Sequence, residues 1–378
     1  MKKILIAPNS FKGSLTAEQA AEAIAEGLNQ SLLKAKFIKF PIADGGDHTS
    51  FLMTKHLKGS MHKHEVKGAY LQNTEAHYGL LHDNKTAIIE VAETSGFKSI
   101  KGKLKSPLES SSWGLGELIA HNIAQGVRSF IICLGGSATV DGGLGMLQAL
   151  GLACLDRSGK VLQASPQNYK DIVQLDLEKL NKKISGIKFT ILCDVENRLL
   201  GPQGAAAVFG PQKGASSADV VALEAFLSQL DLLTKKTTGQ SLNKVNGGGA
   251  AGGLGAAFNV FMKADMQKGA PYFCKLTKIE TLIKQADWVI TGEGSIDSQS
   301  LAGKAPVVLA GLTKKAGKPI IGLAGSIPRT IDKRLQDYFT TLLAIGNSPE
   351  ELQQAIKHTS LNLQRTAKQL GLLIQTIQ

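Results

Sequence analysis

The sequence predicts an α/β protein: a doubly wound parallel sheet with a second α/β domain inserted into it. Three observations carry that expectation. Both ends of the chain alternate short apolar runs with amphipathic stretches, as strands and crossover helices do in a parallel sheet. The middle breaks the alternation with period-2 segments of the antiparallel kind. Glycine is abundant, 41 residues of 378, while aromatics make up 5%. That combination favours a chain with many functional turns over a platform for stacking bases.

Taken in order, residues 3–7 (KILIA) read as a strand and 8–14 as a loop. Thr16 is expected to cap a helix running to about Leu28, with Glu18 in its first turn. Residues 36–42 form a second strand, ending in Ala43-Asp44-Gly45-Gly46-Asp47, and a helix follows from about Thr49 to Leu57. Residues 61–66, 74–81 and 86–91 then alternate like antiparallel strands. A helix over 110–125 leads to a buried strand at 129–134 (SFIICL). The glycine-rich turn 135–143 enters a helix ending near Gly151, residues 188–193 form another strand, and glycines crowd again at 247–255. The first pattern resumes after about residue 285: strand 288–290, helix 306–315, strand 319–324, strand 338–345, and one or two amphipathic helices over 350–374. The simplest assembly orders the five strands of the two ends 2-1-3-4-5. The expected domains are 1–60 with 285–378, and 61–284.

The stretch 286–306, ADWVITGEGSIDSQSLAGKAP, shows the pattern most fully. Trp288, Val289 and Ile290 read as a buried strand. Gly292 and Gly294 are expected to turn the chain and leave backbone N–H groups exposed. Glu293 and Asp297 stand on that turn, and Ser298 or Ser300 is placed to cap the next helix. A strand, a glycine-rich turn carrying acids, then a helix is how α/β proteins hold a phosphate and its metal. A plain βα turn with solvated acids has the same local pattern.

Composition excludes other classes. The chain is 43% hydrophobic and 20% charged, with a net charge of +12, ordinary for a globular protein. The excess is lysine spread along the chain, densest at 101–105 (KGKLK), so nucleic acid is a poor partner. A positive field suits an anionic substrate. Cys133, Cys154, Cys193 and Cys274 form no CxxC pair and read as buried free thiols. The apolar run after Lys2-Lys3 is too short for a signal peptide, and no run spans a membrane, so the cytoplasm is expected.

In an open parallel sheet, ligands bind beyond the carboxyl ends of the strands. The loops there carry Ser10, Lys12 and Ser14; Asp44, Gly45, Gly46 and Asp47; Glu293 and Asp297; and Gly325-Ser326. The inserted domain adds 135–143, Asp194 and 247–255. A cleft between the domains would hold acids, a lysine, hydroxyls and N–H donors, an inventory that suits phosphoryl transfer. Mg²⁺ takes one or two protein carboxylates, and Asp44, Asp194, Glu293 and Asp297 offer more than that. No G-x-x-x-x-G-K-[ST] occurs, nor an H-R-D or D-F-G pair, which excludes P-loop enzymes and protein kinases. Gly253-Leu254-Gly255 lacks the third glycine of a dinucleotide fingerprint. His62 and His64 could share a strand face, but no carboxylate cluster accompanies them, and a surface strand is the better reading.

Six ordered motifs, IAPNSFKGSLTA, PIADGGD, LGGSATVDGGLGM, CDVENRLLGPQGAAAVFGPQKGA, GGGAAGGLGAAF and ITGEGSIDSQSLAGKAP, resemble the two-domain (type 1) bacterial glycerate kinases over nearly the whole chain. The resemblance implies a flavodoxin-like α/β domain with a second α/β domain inserted, and ATP- and Mg²⁺-dependent phosphorylation of D-glycerate. It implies Asp194 as base for the glycerate hydroxyl, or else a cap for the turn before Asn197. Lys12 would meet a phosphate or the glycerate carboxylate, or stand solvated. Ser10 and Ser14 would add hydroxyls. Asp44 and Glu293 would hold Mg²⁺ or orient substrate, with Asp47 and Asp297 beside the substrate. Gly135, Gly136, Ser137 and Thr139 would cradle ATP phosphates, together with the N–H groups of Gly292 and Gly294. Asp141 would cap the next helix or act in catalysis, and Lys213 and Lys304 would be phosphate contacts or surface lysines. The implied partners are D-glycerate and ATP, without nucleic acid or membrane, and a homodimer is compatible with the reading.

Some positions depart from that family's pattern. Asp47-His48 replaces Glu-Gly, Val140 replaces Asn, Asn9 often replaces Asp, Arg198 replaces Pro, and Ser295 replaces Arg. The last bears most on substrate, because a guanidinium can grip a carboxylate or phosphate with two parallel bonds and serine cannot. Two other readings keep the scaffold: a kinase for another small hydroxy acid, and a non-catalytic paralogue that binds nucleotide or a sugar acid.

Overall fold

Five short apolar runs meet in one parallel sheet. In the computed structural model, which describes residues 1–377 apart from 101, these are Lys2–Ile6, Ala35–Lys39, Trp288–Ser295, Ile320–Ser326 and Thr341–Ala344. Numbered among themselves, they lie in the order 2-1-3-4-5, every neighbouring pair parallel. Ile4, Leu5 and Ile6 are fully buried. A central parallel strand is covered on both faces, and each such side chain is worth roughly 1.5–3 kcal/mol of burial.

Helix Ala17–Gln30 begins at Thr16, whose hydroxyl accepts from Gln19 N while the Gln19 side chain accepts from Thr16 N. This reciprocal cap satisfies two otherwise orphan donors. The inner face of the helix, with Ala20, Ile24 and Leu28, packs on Leu363, Ala367 and Leu370 of helix Leu352–Thr376. The backbones approach closely at Gly27, where a Cβ would lie 2.1 Å from the Gln364 carbonyl oxygen. Any larger residue there would push the helices apart.

The chain divides into two compact units, Met1–Asp44 with Lys268–Gln378, and Gly45–Gln267. These borders differ from 60/61 and 284/285, for two reasons. Helix Thr49–His56 packs on strands Asn73–Leu80 and Thr86–Glu90, with Thr54 filling the space above Gly79, where a Cβ would come within 1.7 Å of its hydroxyl. It therefore belongs to the inserted unit. Helices Gly269–Thr277 and Ile279–Gln285, which the sequence reading did not assign, pack on Ala305–Lys315 in the first unit.

The inserted unit holds a six-stranded sheet in the spatial order Asp265–Gln267, Lys188–Leu192, Ser129–Cys133, Thr86–Glu90, Asn73–Leu80, Ser60–Lys67. The first four are parallel and the last two antiparallel. Its core includes Phe130, Ile132, Phe189, Ile191 and Phe258. A small antiparallel sheet of Val161–Leu162, Ala153–Leu155 and Gln174–Asp176, and the 22-residue helix Ser217–Thr238, were not expected. The four cysteines are buried and lie outside any disulfide. His64 stacks on His121 with ring centroids 3.7 Å apart, and His62 stacks on Tyr78. Of the basic stretch 101–105, Lys101 lies outside the described residues.

One local expectation is corrected. Gly292 and Gly294 do not turn the chain: strand Trp288–Ser295 runs through both, with Glu293 opposite Ala324 and Ser295 opposite Ser326. Gly292 is needed for close approach, since a Cβ there would stand 2.3 Å from the Leu323 carbonyl oxygen. The turn comes later, at Asp297, which caps the short helix Ser298–Ala302. Helix Ala305–Lys315 starts without a side-chain cap and with Pro306 in its first turn.

Candidate active site

In the first unit, three strand ends are laced together. Past Ile6 the ladder continues from Ala7 N to Ile290 O (2.7 Å) and from Asn9 N to Gly292 O (2.8 Å). Thr291 Oγ1 donates to Ala7 O at 2.7 Å, and Asn9 Nδ2 donates to Asp44 Oδ2 at 3.0 Å. Asn9, Asp44 and Glu293 are thereby brought to one edge of the sheet. Glu293 is only 6% exposed, and its carboxylate accepts from Ser300 Oγ at 3.1 Å. Burial pushes this carboxyl up to about 7; Lys304 and the Ser300 hydroxyl pull it down, while Asp44 and Asp297 push it further up. Ser300 also accepts from Asp297 N, and Asp297 accepts from Gln299 N (2.8 Å) and Ser295 Oγ (3.2 Å). Asp44, Glu293 and Asp297 thus form one acidic cluster, with Lys304 as the nearby cation.

Lys12 is exposed at the tip of a tight loop closed by Phe11–Leu15 backbone bonds, with Gly13 at φ +80°. Gly294 lies beneath this loop: a Cβ built on it would sit 3.6 Å from Lys12 N. Ser10 is half-buried on the same loop. Ser14 is turned away, donating to Ile356 O at 2.7 Å. Lys304 is half-buried.

In the inserted unit, three adjacent parallel strands end in a row. Glu90 pairs with Cys133, and Leu134 N donates to Leu192 O, so Glu90, Gly135 and Asp194 leave the sheet side by side. Asp194 is exposed. Gly135 packs on Gly46, where its Cβ would meet Gly46 Cα at 2.8 Å. Gly136 is exposed at φ +72°, and a Cβ there would stand 3.1 Å from Asp47 Oδ1. Glycine is required at both places, by close approach at one and by the left-handed backbone at the other.

Beyond this rim the loop plunges inward. Ser137 is 7% exposed and Thr139 fully buried. Asp141 accepts from Ser112 N and Oγ (each 2.7 Å), Gly143 N (3.0 Å) and Gly145 N (3.2 Å). It ties the following helix, Leu144–Ala149, to Ser112, which favours its capping reading. Burial raises its carboxyl above the usual range in spite of those donors. Lys213, weighed as a surface lysine, is 2% exposed and donates to Ser137 Oγ and Thr139 O, each at 2.8 Å. The glycines at 247–255 serve backbone packing: a Cβ at Gly252 would collide with Thr139 O at 2.0 Å, and one at Gly249 with Arg198 O at 2.3 Å.

Sequence reasoning missed Glu90 and Lys98. Glu90 is 2% exposed and accepts from Ser50 N (2.8 Å), Ser50 Oγ (2.9 Å) and His48 N (3.3 Å). It lines a cavity of about 310 Å³ with His48, Phe51, Met61, His77, Glu93 and Lys98. A lone acid closing an apolar strand was the available signal. Among the described residues, no group of three or more His, Cys, Asp or Glu side chains is gathered as a metal cage.

A model of the glycerate kinase family matches residues 4–375. This chain belongs to the glycerate kinase family. It is 37% identical over 373 residues to a glycerate kinase of Bacillus subtilis (strain 168), covering 99% of this chain and 98% of that one. It is 36% identical over 369 residues to a glycerate 2-kinase of Escherichia coli (strain K12), covering 98% and 97%. A crystal structure described as glycerate kinase 2 from Salmonella typhimurium LT2 superposes with a TM-score of 0.85 at 36% identity, covering 99% of this chain and 98% of that one. The family membership and the kinase class expected from the six motifs therefore hold, as does the α/β fold. Among the described residues, no helix is long and apolar enough to cross a membrane.

Proposed function

We propose that this enzyme transfers the γ-phosphoryl group of ATP to D-glycerate with the help of Mg²⁺. The observation that carries the reading is the acidic cluster around Glu293, at the sheet edge where ligands bind, in a chain of the glycerate kinase family. Burial keeps the Glu293 carboxyl raised in spite of Lys304, two further acids stand beside it, and hard carboxylate oxygens suit Mg²⁺. Asp44 and Glu293 would hold the ion, with Asp297 fixing Ser300 behind them. When bound, the ion neutralises charge building on the phosphates.

The remaining roles fall to the chain's own groups. Lys12, exposed at its loop tip, binds the carboxylate of glycerate or a phosphate, with Ser10 and Asp47 as further polar contacts. Asp194 accepts the proton of the attacking hydroxyl as its oxygen bonds to phosphorus and ADP departs. The rim N–H groups at Gly135 and Gly136, with Ser137 and Thr139, hold the nucleotide phosphates. Gly292 and Gly294 keep the strand beneath the Lys12 loop narrow. The name of the Escherichia coli relative, a glycerate 2-kinase, favours the 2-hydroxyl as acceptor. A cytoplasmic enzyme is part of the same proposal, supported by four buried cysteines outside any disulfide, and so is a homodimer.

The test is turnover of D-glycerate with ATP and Mg²⁺, the product identified by phosphorus NMR. Formation of 2-phosphoglycerate is expected. No turnover, in protein that binds ATP, would replace this reading with a kinase for another small hydroxy acid or a nucleotide-binding paralogue.

A further inference from the structure

The inner half of the 135–143 loop carries more polar hydrogens than the protein's own acceptors use. An ammonium has three N–H donors. Lys213 places two of them, on Ser137 Oγ and Thr139 O, each at 2.8 Å, while 2% exposed. A serine oxygen that accepts from an ammonium must aim its own hydrogen elsewhere. Ser137, 7% exposed, makes no other hydrogen bond among the described residues. Thr139 Oγ1 is fully buried with no partner among them. Buried polar groups are nearly always paired, and exceptions call for a ligand or a functional cause. Here the third hydrogen of Lys213 and those of both hydroxyls have no acceptor among the described residues, next in the chain to half-buried Gly135 and exposed Gly136.

We propose that Ser137, Thr139 and Lys213 form an oxyanion-binding floor for a phosphate group of the nucleotide, with Lys213 as its positioning residue. By donating to Ser137 Oγ, the ammonium leaves that hydroxyl's own hydrogen aimed elsewhere and polarises it toward an anion. By donating to Thr139 O, it fixes the backbone that carries the second hydroxyl. The assignment rests on the reading that this loop carries the phosphates of ATP.

The charges around Lys213 agree. Asp141, on the same loop, is the charged group acting on it, and that carboxylate is already held by four donors. The adjoining turn Ala205–Phe209 has no titratable side chain, and Asp219 at the next helix start is committed to Ser216. Burial holds the Lys213 ammonium down to about 7, against the opposing effect of Asp141. An anion on the floor favours the protonated form, so binding takes up a proton above that pH and weakens as pH rises.

The probe is a non-hydrolysable ATP analogue with Mg²⁺, titrated against the full chain between pH 6.5 and 8.5. Wild type should bind about tenfold more weakly at the upper pH, the scale of one charge-assisted bond. Lys213→Met should bind about tenfold more weakly at pH 6.5 and lose the pH slope. Lys213→Arg, always charged, should keep the affinity at pH 6.5 and lose the alkaline weakening. Ser137→Ala should match Lys213→Met, and the double variant should be no weaker, because one residue acts through the other. Circular dichroism and thermal midpoints verify folding; if Lys213→Met fails to fold, Lys213→Arg and Ser137→Ala decide. Wild-type affinity in Ser137→Ala, or an unchanged slope in Lys213→Arg, overturns the floor. Lys213-dependent binding without glycerate turnover overturns the proposed function instead and leaves the floor standing.

Discussion

Glu293 in the first unit and Lys213 in the second are drawn to about 7 from opposite directions. The cause is common, because burial disfavours the charged form whatever its sign. Their hydrogen bonds differ. Lys213 spends two donors on one loop of its own unit, so its charge is used to shape the protein. Glu293 receives one hydroxyl, from Ser300, and has Lys304 as well as two further acids for neighbours, so its remaining lone pairs suit the proposed Mg²⁺. Two groups drawn to about 7, Lys213 from farther away, therefore do different work: one organises a loop, the other lies at the proposed cation site.

The two also bend stability with pH in opposite ways. The folded-state value of Glu293 lies above its unfolded value of 4.5, so its contribution is fully present below about 4.5 and lost as pH rises through about 7. That of Lys213 lies below 10.5, so its contribution is complete above about 10.5 and lost as pH falls through about 7.

The largest effect that would break the comparison lies at Asp194. Asp194→Asn should lower kcat about 10³-fold, the scale of a lost general base, while affinity for the ATP analogue stays within about twofold. Near-normal turnover would move the chemistry out of the second unit's strand ends. Glu293→Gln should lower kcat about 10²-fold and yet raise the thermal midpoint at pH 8, by up to about 3 kcal/mol of stability, with the gain fading by pH 5. An equal midpoint at both pH values would mean that Glu293 carries no burial penalty. Ser295→Arg should lower the KM for glycerate about fivefold through a charge-assisted contact; an unchanged KM removes that position from the site. The smallest effect is at His48, held at φ +63°. His48→Gly should stabilise the protein by about 0.5–1 kcal/mol by relieving a left-handed non-glycine residue, read from denaturant midpoints. A loss of stability would show that the imidazole contributes more than its backbone costs.

The sheet of the first unit was legible because its strands are short, apolar and bounded, and crossover chemistry leaves few orders for five such strands. The cluster of Asp44, Glu293 and Asp297 was legible for the same reason, since acids just past apolar strands fall at one edge. Gly292 misled because glycine marks a turn and a close approach alike, and only the neighbour, Leu323, tells them apart. Helix Thr49–His56 followed a parallel strand, but its Thr54 found a partner in Gly79, farther along the chain. Lys213 was hidden because its burial comes from Ser137 and Thr139, more than seventy positions away. Glu90 closed a strand read as antiparallel, which it is toward Asn73–Leu80, whereas its other edge pairs in parallel with Ser129–Cys133.

The first unit is built from both ends of the chain, which sets a clock on the ribosome. Strand Lys2–Ile6 emerges first, but its partner Trp288–Ser295 follows about 280 residues later, roughly 15–60 s at ordinary synthesis rates of 5–20 residues per second. During that interval Gly45–Gln267 is continuous and has its own core, so it can fold first, while Ile4, Leu5 and Ile6 wait with an uncovered edge. The nascent amino terminus, rather than the finished enzyme, is where a holding chaperone would have its longest opportunity.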